Sequence, residues 1–519
     1  MGRHVKVVLA LVVAGVLAML AYRVLAPLFE ERQQLSTSDA GAAKGKLVIG
    51  VDNWVGYFPL CSSEMRRRMR QSGYALQCVD DNADYPGRMQ ALEKGELQFA
   101  VATVDSYLLN GRAARYPGSI VAVIDESRGG DAILAWSDKA KSLEDLKGKR
   151  LKVAYTPASP SEHLLKSMAV HFDIPVLRER KGDWRVESAG SEDALRKLKQ
   201  HEVEVAVLWE PDVSRALSES NIVKLIGTED TEKLIVDILL VSREFSARDP
   251  EAVKTLLRNY FLTLKQFRSN PQSLIEEAEK HTGLPKDKVE AMLRGVSWKS
   301  LTDNARSWFG VRVGGRSGAE GLIDAILGAS QVLLDSGDFS ASPLPDDDPY
   351  RLTHSQFIAE LYASGGIDPQ QAGAGADQED SLTRVFTPLS DAQWEALREV
   401  GTLKVRPIIF QSGTANLTLD GKREVDRAVE NLKHYPNFRV MVKGHTNRRG
   451  DSEANRELSR QRAEAVTRYL SVTYGIDPNR MRAVGFGGDQ PLPRKPNESN
   501  RAYDYRLQRV EMFLAAEDF

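Results

Sequence analysis

Short apolar runs alternate with amphipathic stretches from residue 46 to about residue 350. The runs at 47–51, 151–155, 203–209 and 234–241 end at turn-forming or charged residues, which predicts buried β-strands. Apolar residues three or four positions apart, for example Val253, Leu256 and Tyr260, predict helices packed on the outside of a sheet. This alternation predicts an α/β fold for this part of the chain.

A second pattern occupies residues 386–519. It combines one helical stripe with two alternating, strand-like segments: Val425, Ala428, Val429 and Leu432 for the stripe, then Phe438, Val440 and Val442, and finally Val510, Met512 and Leu514. The pattern predicts a β-α-β-α-β unit, an α+β sandwich that follows the α/β unit in the chain.

Small and polar residues separate these parts. Residues 365–380 are rich in Gly, Ala, Gln and Asp, and the stretch after residue 30 is similarly polar, so both predict linkers. The chain therefore divides into five parts: an anchor at 1–29, a linker at 30–45, a first unit at 46–350, a second linker at 351–385 and a second unit at 386–519.

The N-terminal segment predicts a single transmembrane helix. Its uncharged run, 7–22, is shorter than the roughly 20 residues that a bilayer requires, but the Arg23 side chain can extend to the interface and let the span reach Phe29. Basic residues ahead of the run place the N-terminus in the cytoplasm and the later units outside the inner membrane. A cleaved signal peptide is the alternative, although no good small-residue cleavage site follows the run.

Composition removes several classes of function. The 519 residues are 42% apolar and 27% charged with a net charge of −2, which is ordinary globular composition without the basic surface of a nucleic-acid-binding protein. The sequence has no metal-ligand cluster, phosphate-binding loop or nucleophile elbow, so we predict a protein that is not an enzyme and has no cofactor or metal. His163, at the start of a predicted helix, is a lone histidine and more typical of a structural residue. The uncharged run also lacks the acidic residue that a proton-driven stator needs.

The two cysteines, Cys61 and Cys78, flank a helix-like run and a strand-like run. Such a pair of elements can bring the thiols together, and an exported compartment permits their oxidation to a disulfide. Two buried thiols remain the alternative.

The stretch from Gly444 to Gly450, with the helix pattern after it, resembles the core of an OmpA-like peptidoglycan-binding domain. In that family a turn supplies an aspartate for the ammonium of diaminopimelate and a helix supplies an arginine for its carboxylate. The resemblance implies a peptidoglycan site in this sequence at Thr446, Asn447, Asp451, Asn455, Ser459, Arg462 and Arg509.

The sequence departs from that family pattern at two places. Asn447 stands where the family has its aspartate, and Leu507 and Gln508 replace an Asn and an Arg near the end. Asp451 lies in the same loop and is a candidate to reach the ammonium instead. A weakened or redirected site is the alternative.

The first unit resembles type II periplasmic solute-binding proteins, particularly those of nitrate, sulfonate and thiamine-precursor transporters. Four segments, at 54–59, 91–100, 125–131 and 208–211, follow the order of that family. The resemblance implies a two-lobed fold with a ligand cleft beyond the carboxyl ends of the strands. The candidate ligand-binding residues are Trp54, Tyr57, Ser127, Asp131, Ser159, Ser161, Trp209 and Glu210.

Each candidate also has a structural interpretation. The aromatic residues can be core residues, Ser159 and Ser161 can cap a helix, and Trp209 and Glu210 can belong to a hinge. Together the two resemblances predict an inner-membrane protein whose periplasmic part binds a small solute and attaches to peptidoglycan. The alternative is an envelope scaffold in which the first unit contacts other proteins and binds no solute.

Overall fold

The computed structural model describes residues 44–179, 181–312, 318–365, 367, 382–411 and 413–517. The predicted anchor at 1–29, and the linker after it up to residue 43, lie outside these residues. Within the described part of the chain, no helix has both the length and the apolar character needed to cross a bilayer. The anchor and the single-pass topology therefore stay predictions.

The first unit contains eleven strands among its described residues. In chain order they are β1 Gly45–Val51, β2 Tyr74–Asp80, β3 Phe99–Thr103, β4 Gly118–Ser127, β5 Asp131–Trp136, β6 Val153–Tyr155, β7 Arg185–Glu187, β8 Val205–Trp209, β9 Ile222–Gly227, β10 Val236–Ser242 and β11 Val296–Trp298. The predicted apolar runs correspond to β1, β6, β8 and β10.

These strands form two sheets, each the centre of one lobe. The first has the order β11-β4-β10-β3-β1-β2, with β1 parallel to β2 and β3, and β10 antiparallel to its neighbours. The second has the order β7-β6-β8-β5-β9, with β6 parallel to β7 and β8. The chain passes from the first sheet to the second between β4 and β5, and returns between β9 and β10. Two short crossings therefore join the lobes, with a cleft between them.

Helices cover both sheets of the first unit. Their bounds are Phe58–Cys61, Ser63–Gln71, Tyr85–Glu93, Val104–Gly111, Asp145–Gly148, Pro160–His171, Ser191–Lys199, Asp212–Ala216, Arg243–Arg248, Pro250–Ser269, Pro271–Thr282, Lys286–Arg294, Leu301–Asp303, Gly321–Asp335 and Gln356–Ala363.

The last of these helices changes the predicted boundary of the first unit. Phe357, Ile358 and Leu361 are buried in the apolar core of the first lobe. Residues 356–363 are thus part of the folded unit, whereas the sequence placed them in the 351–385 linker. Phe357, Ile358 and Leu361 lie on one face of the helix and pack that face against the lobe.

The second unit has a four-stranded sheet, with the strands β12 Arg398–Leu403, β13 Arg439–His445, β14 Met481–Gly485 and β15 Arg509–Ala516 in the order β12-β15-β13-β14. Its helices are Asp391–Ala396, Leu419–Leu432, Ser452–Tyr474 and Asn500–Leu507. The two predicted strand-like segments correspond to β13 and β15, and the unit adds one more strand and the helix Asn500–Leu507 to the predicted β-α-β-α-β order.

Cys61 and Cys78 form a disulfide that links the end of helix Phe58–Cys61 to β2, across a sequence separation of 17 residues. The bond ties a helix to the outer strand of the first sheet. It therefore restrains the edge of the lobe nearest the N-terminal linker.

The two units contact each other at the second lobe. One apolar cluster contains residues of both, and the rings of Phe172 and Tyr435 meet edge to face with centroids 5.3 Å apart. His171 Nδ1 lies 2.7 Å from the Tyr435 hydroxyl, and Asn437 Nδ2 donates to the Glu229 carbonyl at 2.9 Å. Glu229 belongs to the returning crossing, so the second unit touches the connection between the lobes.

Candidate functional site

The cleft between the lobes is narrow and lined by acidic and aromatic side chains. Its lining residues are Asp52, Trp54, Tyr57, Tyr85, Thr103, Asp131, Pro160, Trp209, Ile235 and Asp237. Most of them lie at or just beyond the ends of β1, β3, β5, β8 and β10, where the two sheets face each other. The enclosed volume is about 10 Å³, which is room for about one water molecule.

Hydrogen bonds between the lobes hold the cleft closed. Trp209 Nε1 donates to Asn53 Oδ1 at 2.8 Å, and Asn82 Nδ2 donates to the Ala189 carbonyl at 3.0 Å. A third bond runs from Asn110 Nδ2 to the Ala158 carbonyl at 2.9 Å. Two of the three acceptors are backbone carbonyls. A solute larger than one water therefore requires the lobes to separate around it.

Four of the eight predicted ligand-binding residues line the cleft: Trp54, Tyr57, Asp131 and Trp209. All four are buried, and Trp54 and Tyr57 also belong to the apolar core of the first lobe. Trp54 Nε1 lies 3.4 Å from both carboxylate oxygens of Asp125. These aromatic residues thus have a core role as well as a position in the cleft.

The other four predicted residues bond to the protein itself and do not line the cleft. Ser127 Oγ lies 2.7 Å from Thr228 Oγ1 at the crossings, and the Glu210 carboxylate accepts bonds from Ser214. Ser159 Oγ accepts from the Ser161 backbone at 3.1 Å, and Ser161 Oγ accepts from the Thr156 backbone at 2.8 Å. Ser159 caps the helix Pro160–His171 and Ser161 bonds to the backbone ahead of it, while their role as ligand contacts stays a prediction.

Sequence reasoning missed the carboxyl groups that accompany Asp131. Asp52 directly follows β1, and Asp237 interrupts the apolar run of β10. The signal in the sequence that could have identified Asp237 is a single carboxylate within an apolar, strand-like run. Asp125, in β4, lies beside Asp237 and completes the group.

Burial shifts the ionisation of these acids. Burial, together with neighbouring carboxyls, raises the pKa of Asp131 to about 8, and burial raises that of Asp125 to about 7. Burial and the nearby Asp125 raise the pKa of Asp237 well above its usual range. Tyr57 donates its hydroxyl to Asp237 Oδ1 at 2.5 Å. Adding a negative charge to this cleft is therefore costly.

Arg88 neutralises one of the four acids. Its guanidinium lies 3.1 Å from Asp52 Oδ2 and 2.5 Å from Asp81 Oδ1, and it donates to the Val101 carbonyl. With two carboxylates and a carbonyl already bound, Arg88 has little capacity left for a ligand. Because Arg88 pairs with Asp52 and Asp81, it forms no ion pair with Asp125, Asp131 or Asp237.

A second candidate site lies on the second unit, where β13 meets the long helix Ser452–Tyr474. A Cβ added at Gly444 would lie 2.0 Å from the Ser459 carbonyl oxygen, so only glycine permits this approach of strand and helix. Ser459 is fully buried, and its Oγ accepts from the Gly487 backbone at 2.9 Å. Ser459 thus fixes the helix against the loop at Gly487, and its role in peptidoglycan binding stays a prediction.

Two adjoining cavities form a groove beside this helix. One, of about 870 Å³, is lined by Asn447, Arg449, Ser499, Asn500, Arg501, Ala502, Asp504, Tyr505 and Gln508. The other, of about 290 Å³, is lined by Pro407, Ile408, Ile409, Phe410, Gly413, Arg462, Tyr505, Gln508 and Arg509. Tyr505 and Gln508 belong to both, so the groove is continuous.

Arg462 is the cation at the second end of the groove. It is 7% exposed, its Nε donates to the Thr414 carbonyl at 3.1 Å, and its guanidinium lies over the Phe410 ring. Within the described chain Arg462 forms no ion pair, and burial lowers its pKa. A buried guanidinium held by a carbonyl and a ring favours an added carboxylate.

Asn447 and Asp504 mark the first end of the groove. Asn447 Oδ1 accepts from the Arg449 backbone at 3.1 Å, while Arg449 forms an ion pair with Asp504 at 2.5 Å. Asp504, which sequence reasoning missed, is the one carboxylate among the residues that line this cavity. Asp451, predicted to replace the family's aspartate, caps the helix by accepting from the Ala454 backbone and does not line the groove.

The remaining predicted residues support the groove. Asn455 Nδ2 donates to the Arg449 carbonyl at 2.8 Å, and the Thr446 backbone donates to the Gly487 carbonyl at 2.8 Å. Arg509 lines the groove beside Arg462 but is paired with Glu511 at 2.6 Å. Arg509 thus adds positive charge that is largely balanced, whereas the structure shows no carboxylate partner for Arg462 among the described residues.

Residues 409–504 match the OmpA family. Over 146 residues the chain is 34% identical to the peptidoglycan-associated lipoprotein of Pseudomonas aeruginosa. The matched stretch covers 28% of this chain and 79% of that protein. The chain belongs to the OmpA family through its C-terminal unit. It is also 31% identical over 121 residues to outer membrane protein Omp38 of Acinetobacter baumannii, covering 23% of this chain. It spans only 33% of the length of Omp38.

The first unit has structural neighbours among periplasmic binding proteins. One is the periplasmic aliphatic sulphonate binding protein SsuA from Escherichia coli, with 20% sequence identity and a TM-score of 0.40. The match covers 49% of this chain and 84% of that protein. At this level of likeness no site residue is transferred from it, and the cleft is interpreted from its own geometry.

Proposed function

We propose that this protein attaches to peptidoglycan through the groove of its OmpA unit and binds a small solute in the cleft of its first unit. The single observation that carries the first half is Arg462, a buried guanidinium without a carboxylate partner among the described residues. The proposal places both units in the periplasm, tethered to the inner membrane by the predicted anchor at 1–29. It assigns no catalytic step to either unit.

The groove suits a stem peptide that carries both charges. A carboxylate beside Arg462 gains a charge-assisted, bidentate hydrogen bond, which contributes about 1.5 to 3 kcal/mol. At the other end Asp504, which also pairs with Arg449, is the carboxylate that an ammonium can reach where Asn447 offers only an amide. Tyr505, which is 65% exposed between the two ends, offers an aromatic surface to the ligand. The acidic partner has thus moved from the turn to the helix Asn500–Leu507.

Co-sedimentation with purified sacculi tests the Arg462 assignment. The full-length protein, kept in mild detergent because of its predicted anchor, is incubated with sacculi and pelleted. Arg462→Gln should weaken binding by about tenfold or more, since a neutral amide cannot replace the guanidinium. Arg468→Gln is the matched control, because Arg468 is an exposed arginine on the same helix. Equal pelleting of the parent and Arg462→Gln would contradict the assignment.

Substitutions that move the negative charge from Asp504 to Asn447 test the end of the groove that is proposed to bind the ligand's ammonium group. Asp504→Asn should weaken pelleting, whereas Asn447→Asp should strengthen it by up to about tenfold, because an ionised acceptor forms a stronger bond to an ammonium. The double variant Asn447→Asp with Asp504→Asn should recover parental binding. If Asp504→Asn has no effect while Asn447→Asp is tighter, the native site lacks an ammonium partner and the Asp504 role is wrong.

One observation favours the rival function, an envelope scaffold without a solute. The cleft encloses only about 10 Å³, and interlobe hydrogen bonds already close it. In that case the first unit would be a rigid protein-binding module. A change in thermal midpoint on adding a solute to the full-length protein would exclude this alternative, because stabilisation by mass action requires binding to the folded state.

A further inference from the structure

The chemistry of the closed cleft indicates what kind of solute it accepts, and this inference rests on the proposed solute binding. Ten residues line the cavity, and none of them is lysine or arginine. Three of the ten are aspartates, and the nearest guanidinium, that of Arg88, is bound by Asp52 and Asp81. The lining therefore offers carboxyl groups and no cation of its own, the opposite of what a sulfonate or nitrate needs.

Asp237 carries an acceptor atom without a donor. Its Oδ1 receives the Tyr57 hydroxyl, but no hydrogen-bond donor among the described residues reaches Oδ2. The side chain is 2% exposed and lines the cavity. A buried carboxylate oxygen without a donor is costly to a folded protein, so the site calls for a proton or a cation at that position.

The basic groups nearest to the cluster are already paired. Lys299 Nζ lies 3.1 Å from Glu126, and Arg128 lies 3.2 Å from the same carboxylate. Glu126 is thereby neutralised, whereas Asp125 is paired in register with Asp237 of β10 and lies 3.4 Å from the Trp54 indole nitrogen. Asp125, Asp131 and Asp237 consequently form a group of buried acids whose charge the protein does not balance.

Aromatic rings surround this acidic group. Trp54, Tyr57, Tyr85 and Trp209 line the same cavity. A ring face attracts a cation through its quadrupole, and its carbon atoms contact the alkyl part of an organic ion. Carboxylates together with aromatic faces therefore favour an alkylammonium group over an anion or a neutral sugar.

We infer that the interlobe cleft binds a small organic cation, with its ammonium group between Asp131 and Asp237, which line the cavity, and its carbon atoms against Trp54 and Trp209. The crossings between the lobes allow the cavity to widen around such an ion. When the lobes close, the cation supplies the positive charge that these acids lack. Without it, closure requires protons on the carboxyl groups.

Thermal unfolding of the full-length protein with defined probes tests this inference. Ethanolamine, putrescine and choline, added as chloride salts, are compared with sodium ethanesulfonate, calcium chloride and sodium chloride at matched ionic strength. At least one of the amines should raise the unfolding midpoint and change tryptophan fluorescence, whereas ethanesulfonate should do neither. The effect should be larger at pH 8 than at pH 6, because burial raises the pKa of Asp125 to about 7 and that of Asp131 to about 8, so these two carboxyls are more ionised at the higher pH. Asp52, Asp237, Tyr57 and Tyr85 also face the site.

Asp237→Asn should weaken binding of that amine by about tenfold or more while keeping the side-chain shape. Asp324→Asn is the matched control, because Asp324 is exposed on an outer helix and pairs with Lys233. An equal amine affinity in Asp237→Asn and the parent would overturn the inference.

The pattern of probe effects separates this inference from the proposed function. Stabilisation by ethanesulfonate or calcium, but by no amine, would overturn the cation assignment and leave solute binding intact. No response to any probe would overturn the cation assignment and remove the support for solute binding. Sacculus binding through Arg462 is measured independently and would stand in either case.

Discussion

At the scale of single residues, Asp131 should make stability depend on pH. Burial, with Asp125, Asp105 and Glu210 nearby, raises its pKa from 3.8 to about 8, while a hydrogen bond from Ser127 offsets part of this rise. The folded protein thus holds a proton that the unfolded chain releases near pH 4. Stability from this group is complete at low pH and is lost as the pH rises towards 8.

The thermal midpoint should therefore fall between pH 5 and pH 8.5, and the fall should be smaller in Asp131→Asn, which cannot ionise. Differential scanning fluorimetry at half-unit intervals measures both slopes. Asp324→Asn serves as the control because its carboxylate is solvent-exposed. An identical slope in Asp131→Asn and the parent would show that the carboxyl is solvated in the native protein.

Residue roles were harder to predict than residue positions. Trp54 and Trp209 do line the cleft, because residues beyond the ends of strands face a cleft in an α/β unit. Ser159, Ser161 and Asp451 have side-chain oxygens that cap local backbone groups, which spacing alone does not distinguish from ligand contacts. Asp504 was missed because the position and direction of its helix depend on tertiary packing that a single sequence does not show.

At the scale of elements, the contact between β13 and the helix Ser452–Tyr474 positions the groove of the OmpA unit. Gly444→Ala would place a methyl group 2.0 Å from the Ser459 carbonyl oxygen. The helix or the strand must shift, at a cost of about 1 to 3 kcal/mol. Because Arg462 is on that helix, the shift should also reduce binding to sacculi.

Thermal unfolding and co-sedimentation together check this prediction. Gly148→Ala is the control, since a Cβ at that position meets no atom within 4 Å. A normal midpoint with weakened pelleting would mean that the helix moves without loss of stability. Unchanged values for both measurements would contradict the close packing.

Elements were predicted more reliably than their connections. The apolar runs at 47–51 and 203–209 lie within or overlap β1 and β8, because fully buried strands need apolar residues on both faces. The helix Gln356–Ala363 was assigned to a linker, since its short amphipathic pattern precedes a polar stretch and gives no sign of the lobe it covers. The strand β14 has few buried residues, and its pattern was correspondingly weak.

At the scale of the whole molecule, the OmpA unit is packed against the second lobe and does not stand apart from it. The ring of Phe172, at the end of helix Pro160–His171, contacts Tyr435 and lies against Gly401 of β12. The backbone of Lys404 donates to the His171 carbonyl at 2.6 Å. His434 exchanges hydrogen bonds with Glu232, on the crossing that returns to the first lobe. The unit proposed to bind peptidoglycan thus packs beside the crossing that joins the two lobes.

This packing predicts one cooperative unfolding transition for the two units. Phe172→Ala removes a fully buried ring from the contact, which should cost about 3 to 5 kcal/mol and divide the calorimetric transition into two, because the OmpA unit then unfolds independently. Phe261→Ala is the matched control: Phe261 is equally buried in the core of the first lobe and is not part of the cluster shared with the OmpA unit. It should lower the midpoint without dividing the transition. Two transitions in the parent would show that the units already unfold separately, and the contact with the hinge would then transmit nothing between cleft and wall.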